Sequence, residues 1–119
     1  MSQPFVHMEL NTPDLDKAKS FYGELCGWTF EDVNMGSAGI YSTFKPSNGP
    51  GGGIFTMAGA PTERAWLPYI GVENLKEATD KAISLGAKAL MREQEVPGHG
   101  WFSILVDPVG SNIALWQAK

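Results

Sequence analysis

An α+β fold built from two βαβββ modules follows from three observations on this 119-residue chain. The order strand, helix, strands occurs twice, over about residues 3–58 and again over 65–117. Each helix candidate opens on a polar cap and closes on a glycine, Gly27 in the first and Gly86 in the second. A content of 43% hydrophobic and 18% charged residues supplies a core for a single domain spanning 1–119, with module one at about 1–60 and module two at about 61–119. Two half-sheets of this kind can enclose a shared cavity, where a chain this small would keep its chemistry.

The first strand is predicted over residues 5–11, where Val6, Met8 and Leu10 alternate with Phe5, His7 and Glu9. Thr12 then suits the cap of a helix, with Pro13 at its first position and Asp14 complementing the positive end of the dipole. Leu15, Ala18, Phe21, Tyr22 and Leu25 form the apolar stripe expected to face the core, and Cys26 at its end reads as a buried structural thiol. Strands are predicted at 28–33, 40–45 and 53–57, separated by loops at 34–39 and 46–52. The glycine run at 49–53 lacks the Lys-Ser/Thr and the following helix of a phosphate loop, so phosphate is not expected there. Gly59, Ala60, Pro61 and Thr62 make the joint between modules.

Module two repeats the order. A strand over 65–72 precedes a helix capped by Asn74, with Glu77 at capping-box spacing and a stripe of Leu75, Ala78, Ala82 and Leu85. Strands follow at 87–92, 101–106 and 112–116, the last two joined by the turn Asp107-Pro108-Val109-Gly110.

The bulk properties exclude several partners. A net charge of -4 with no basic cluster argues against nucleic acid. No apolar run is long enough for a membrane span and no signal-peptide pattern opens the chain, so the expected location is cytoplasmic. A lone cysteine fits a reducing compartment.

Three segments carry a resemblance. The opening His7-Met8-Glu9-Leu10-Asn11-Thr12-Pro13-Asp14-Leu15, the helix Ala18-Lys19-Ser20-Phe21-Tyr22-Gly23-Glu24-Leu25-Cys26-Gly27-Trp28 and the closing Asp107-Pro108-Val109-Gly110-Ser111-Asn112-Ile113-Ala114-Leu115-Trp116 resemble the vicinal oxygen chelate superfamily. That group includes glyoxalase I, bleomycin-resistance proteins, extradiol dioxygenases and fosfomycin-resistance enzymes. The resemblance covers essentially the whole chain and implies an open, curled mixed sheet around a concave cavity holding a ligand or a divalent metal, often in a homodimer.

In metal-using relatives, His and Glu from matching strands hold the ion. Carried over residue by residue, His7 falls on the first ligand position, but its counterparts are Leu67 and Ala114, which cannot bind metal, and 53–57 contains no His, Asp, Glu or Cys. A single imidazole is too few donors for a catalytic ion. No cofactor is therefore expected, unless a relocated divalent-metal site draws on His7, Glu9 and His99. For His99 the other reading is a solvated loop histidine; for Glu9 it is an ordinary salt bridge. Without metal, His7 and Glu9 retain acid-base chemistry, an imidazole able to shuttle a proton beside a carboxylate that can orient it.

Alternation turns Tyr69 to the face of Leu67 and Trp116 to the face of Ala114, leaving Ile113 and Leu115 for a helix. With Tyr41 and Trp101, whose register is less fixed, they are candidate aromatic walls for a small organic ligand. Two functions are thus expected as alternatives: a ligand-binding protein with a degenerate metal site, or a lyase or dioxygenase resembling glyoxalase I.

Overall fold

The computed structural model describes residues 2–60 and 62–119, so Pro61 of the predicted joint lies outside the described residues. Its elements run β1 (Phe5–Asn11), α1 (Leu15–Cys26), β2 (Thr29–Asn34), β3 (Ile40–Lys45), β4 (Gly52–Phe55), β5 (Ala65–Gly71), α2 (Leu75–Ser84), β6 (Lys88–Val96), β7 (Gly100–Val106) and β8 (Asn112–Ala118). The fold is α+β, and each module has the predicted βαβββ order. Two compact units divide inside β1 and β5: one holds His7–Leu67, the other Pro68–Lys119 with the chain up to Val6.

In the His7–Leu67 unit, β2 and β3 pair antiparallel, β3 and β4 pair antiparallel, and β4 runs parallel to β1. Leu10, Phe44 and Ile54 form the core against α1, with Leu15, Ala18, Tyr22, Trp28 and Trp66 packed around them. Trp28 stacks on Phe44 with ring centroids 4.1 Å apart. Such a layer is held by apolar area removed from water together with offset ring contacts. The other unit repeats the scheme: β6–β7 and β7–β8 are antiparallel and β8 runs parallel to β5, with Leu75, Leu105 and Leu115 as the core under α2.

Several local expectations change. Asp14, not Thr12, caps α1, accepting from the Lys17 amide at 3.0 Å, while Thr12 Oγ1 accepts from the Asp14 amide at 3.3 Å. The helix starts two residues later than Pro13 suggested. Gly27 closes it in the left-handed region, φ 70°, as expected. The stripe is narrower than its apolar spacing: Leu15, Ala18 and Tyr22 are covered, but Phe21 and Leu25 are 57% and 67% exposed and Cys26 is exposed as well. In α2, Leu85 is likewise exposed, and the buried positions are Leu75 and Thr79. Asn74 does cap α2, accepting from the Glu77 amide at 3.0 Å.

The fourth strand ends at Phe55 rather than 57 because the buried Asn11 captures the chain beyond it. Asn11 Nδ2 donates to the Met57 carbonyl and its Oδ1 accepts from the Met57 amide. These bonds replace ladder pairing with side-chain pairing and satisfy a buried amide at the same time.

Candidate functional site

His7 and Glu9 lie on one face of β1 because a strand alternates with period two, Met8 and Leu10 taking the helix side. The register β1–β4–β3 sets Glu9 opposite Gly53 and Gly53 opposite Thr43, so Tyr41, two residues from Thr43, shares the face. Its phenol reaches across: His7 Nε2 and Tyr41 Oη are 2.9 Å apart, and Tyr41 Oη donates to Glu9 Oε2 at 2.8 Å. His7 Nε2 and Glu9 Oε2 are themselves 3.4 Å apart, with side chains 31% and 17% exposed.

The single phenolic hydrogen is committed to Glu9, so the contact with His7 requires an imidazole N–H as the donor. The chain therefore runs Nε2–H to Oη–H to carboxylate. Burial first, then the charge and hydrogen bond of Glu9, push the Tyr41 phenol far above its usual value near 10, so it remains a neutral donor at any physiological pH.

An open groove of about 560 Å³ borders this face, lined by His7, Thr29, Glu31, Thr43 and Lys45 together with Phe30 and Phe44 and the Gly51–Gly52 backbone. Its volume falls within the range of small-ligand sites. A second concavity of about 490 Å³ lies beside α1 and contains none of the predicted site residues.

The remaining candidates lie in the other unit. Tyr69 pairs with Ala114 in the β5–β8 ladder and Phe102 with Trp116 in the β7–β8 ladder, which sets these side chains on one face. Tyr69 is buried, its ring 6.3 Å from that of Phe102. Trp116 lies over Gly100, where a Cβ would come within 2.8 Å of Cζ2. Trp101 does not join them: it packs with Leu75, Leu105 and Leu115 on the helix side and carries Lys119 Nζ 5.0 Å from its ring centroid. Strand parity explains this, since Trp101 shares its phase with the buried Ser103 and Leu105. His99 is exposed in the turn before β7, its amide donating to the Val96 carbonyl and its carbonyl accepting from the Lys119 amide.

The metal that the resemblance implies would draw on the positions of His7, Leu67 and Ala114. Leu67 and Ala114 are buried apolar side chains, and β4 offers Gly53 where a donor would be needed. Among the described residues no group of three or more His, Cys, Asp and Glu could hold a metal ion. Tyr41, whose register the sequence leaves as open as that of Trp101, completes the cluster. The signal that could have found it is the glycine at 53, inside a strand.

Known proteins agree with this architecture. The glyoxalase-like domain family matches residues 7–116. The chain is 32% identical over 116 residues to the protein described as "Putative glyoxylase CFP32" in Mycobacterium tuberculosis, and equally to that of Mycobacterium bovis. Each alignment covers 94% of this chain and 44% of the relative, so the chain spans less than half the length of these curated relatives. A hypothetical protein from Bacillus halodurans superposes with a TM-score of 0.77 at 13% identity, covering 100% of this chain and 96% of that one. Methylmalonyl-CoA epimerase from Mycobacterium tuberculosis gives 0.67 at 13% identity, with 98% and 87% covered. A glyoxalase/bleomycin resistance protein/dioxygenase superfamily member from Vibrio splendidus gives 0.66 at 11%, with 98% and 99% covered. At such identities the structural likeness establishes the fold alone. With both modules inside the matched span, this chain belongs to the glyoxalase-like domain family of the vicinal oxygen chelate superfamily.

Proposed function

We propose that this domain binds a small, oxygen-bearing organic molecule over the His7 face of its first sheet, without a metal ion held by the protein. The observation that carries the reading is the hydrogen-bonded chain from His7 through Tyr41 to Glu9. It fixes the His7 imidazole in the lining of a groove of small-molecule size, where Thr29, Thr43 and Lys45 add hydroxyl and cationic groups suited to carbonyl or carboxylate oxygens. Phe30 and Phe44 supply apolar contact beside them. Tyr69 and Trp116 are proposed as a second, aromatic contact surface on their own unit. The protein acts as a cytoplasmic homodimer in this reading, the exposed Phe21 and Leu25 supporting self-association. Among the described residues no helix is long and apolar enough to cross a membrane.

Titration with pyruvate, catechol and the hemithioacetal of methylglyoxal and glutathione, followed by NMR, tests the binding. Shifts at His7, Thr43 and the Gly52 amide that vanish in His7→Ala are expected for at least one class. Shifts confined to other residues, or none from any class at millimolar concentration, overturn the reading. Sedimentation velocity reads the dimer independently.

The alternative is a metal-dependent lyase or dioxygenase resembling glyoxalase I, using a relocated site. The 3.4 Å between His7 Nε2 and Glu9 Oε2 and the description of the curated relatives favour it. Elemental analysis after divalent-metal loading distinguishes the two, since this reading requires stoichiometric metal that depends on His7.

A further inference from the structure

Gly53 occupies an interior position of the sheet, between Glu9 on β1 and Thr43 on β3. Its φ lies outside the left-handed region, so the backbone does not demand glycine there. The space does. A Cβ at this position would lie 2.1 Å from Tyr41 Cζ and 2.2 Å from Tyr41 Oη, well inside van der Waals contact. Tyr41 thus reaches His7 and Glu9 by crossing the place where any other residue at 53 would put its side chain.

The two groups that Tyr41 joins are spaced as metal ligands. At metal–ligand distances of about 2.1 Å, a separation of 3.4 Å subtends about 108° at an ion, close to tetrahedral. Yet the phenol lies within hydrogen-bond reach of both, 2.9 Å from Nε2 and 2.8 Å from Oε2. Because its hydrogen goes to Glu9, the imidazole nitrogen facing the pair carries an N–H where an ion would need a lone pair. All three atoms are satisfied by one another. An entering cation would have to break both hydrogen bonds and displace a ring seated over Gly53.

We propose that Gly53 and Tyr41 act together to exclude a divalent cation from the His7–Glu9 pair, the phenol standing in the place of the ion. The glycine admits the ring, and the ring's hydroxyl accepts from His7 Nε2 and donates to Glu9 Oε2. This inference rests on the metal-free reading above and gives it a cause within the chain.

Cobalt(II) and zinc binding to the purified wild type, Tyr41→Phe, Tyr41→Phe with His7→Ala, and Gly53→Ala tests it, by visible absorption for cobalt and equilibrium dialysis for zinc. Tyr41→Phe keeps the ring and its neighbour Phe55 while removing the hydroxyl. The expected result is an affinity gain of about tenfold or more over wild type, with a cobalt d–d band that disappears when His7 is also replaced. Gly53→Ala is expected to gain metal in the same direction by evicting the ring; should it fail to fold, Tyr41→Phe carries the test. No gain in a folded Tyr41→Phe overturns the inference while leaving the metal-free reading intact. Metal bound to the wild type through His7, and weakened by Tyr41→Phe, makes Tyr41 a ligand and overturns both.

Discussion

Thr79 on α2 and Ser103 on β7 meet through their hydroxyls, Oγ1 to Oγ at 2.9 Å, with neither side chain reaching solvent. Ser103 Oγ also accepts from the Glu93 amide at 3.0 Å, where β6 departs from regular register and Glu93 takes a φ of 45°. One hydroxyl therefore ties a helix and a bulged strand to β7. Replacing Ser103 by Ala leaves the Thr79 hydroxyl and the Glu93 amide without this partner. A loss of about 1–3 kcal/mol is expected in urea unfolding, with the m-value unchanged.

The Tyr41 phenol predicts an alkaline effect. Its folded-state pKa is raised far above the unfolded value of about 10, so above that pH the unfolded chain releases a proton that the folded chain retains. The corresponding stability is fully present below pH about 10 and declines as pH rises beyond it. Urea midpoints measured between about pH 9 and 11 should fall more steeply for wild type than for Tyr41→Phe, and parallel curves would contradict the assignment.

Capping of α1 should follow the observed geometry rather than the sequence pattern. Asp14→Ala removes the acceptor for the Lys17 amide and is expected to cost about 1 kcal/mol. Thr12→Ala loses only a 3.3 Å bond outside the helix and should cost less. Thermal melts of the two variants, side by side, check the order.

Cys26 is exposed at the end of α1, contrary to the buried thiol that its apolar neighbours suggested. Ellman's reagent should modify it stoichiometrically in the native protein without denaturant. Reaction only after unfolding would place the thiol inside.

The legible parts of this chain were those decided locally. Strand parity set His7 and Glu9 on one face, and Gly27 and Asn74 marked a helix end and a helix start, because each depends on a few consecutive residues. The turn after β7 was equally plain: Asp107 Oδ1 accepts from the Val109 and Ser111 amides, which set the phase of Ala114 and Leu115. Tyr41 was harder to place because its meeting with His7 spans three strands and hinges on an absent side chain, and glycine adds nothing to a hydropathy pattern. Trp101 packs on the helix side because of the phase of β7, which its local sequence does not fix. For Phe21 and Leu25, helical spacing overstated the width of the covered face, since spacing alone does not reveal how far a sheet extends beneath a helix.

The irregular register of β6 has a further consequence for solution behaviour. Among the described residues β6 pairs only with β7, and its ladder shifts between Ala89 and Met91 and again between Met91 and Gln94, on a strand bearing Lys88, Arg92, Glu93 and Glu95. A kinked, charged outer strand is a poor template for another chain's backbone. β2, the outer strand of the other unit, keeps six consecutive pairs with β3 and no bulge. The two borders are thus unequally defended against strand addition, and β2 is the one from which aggregation would grow.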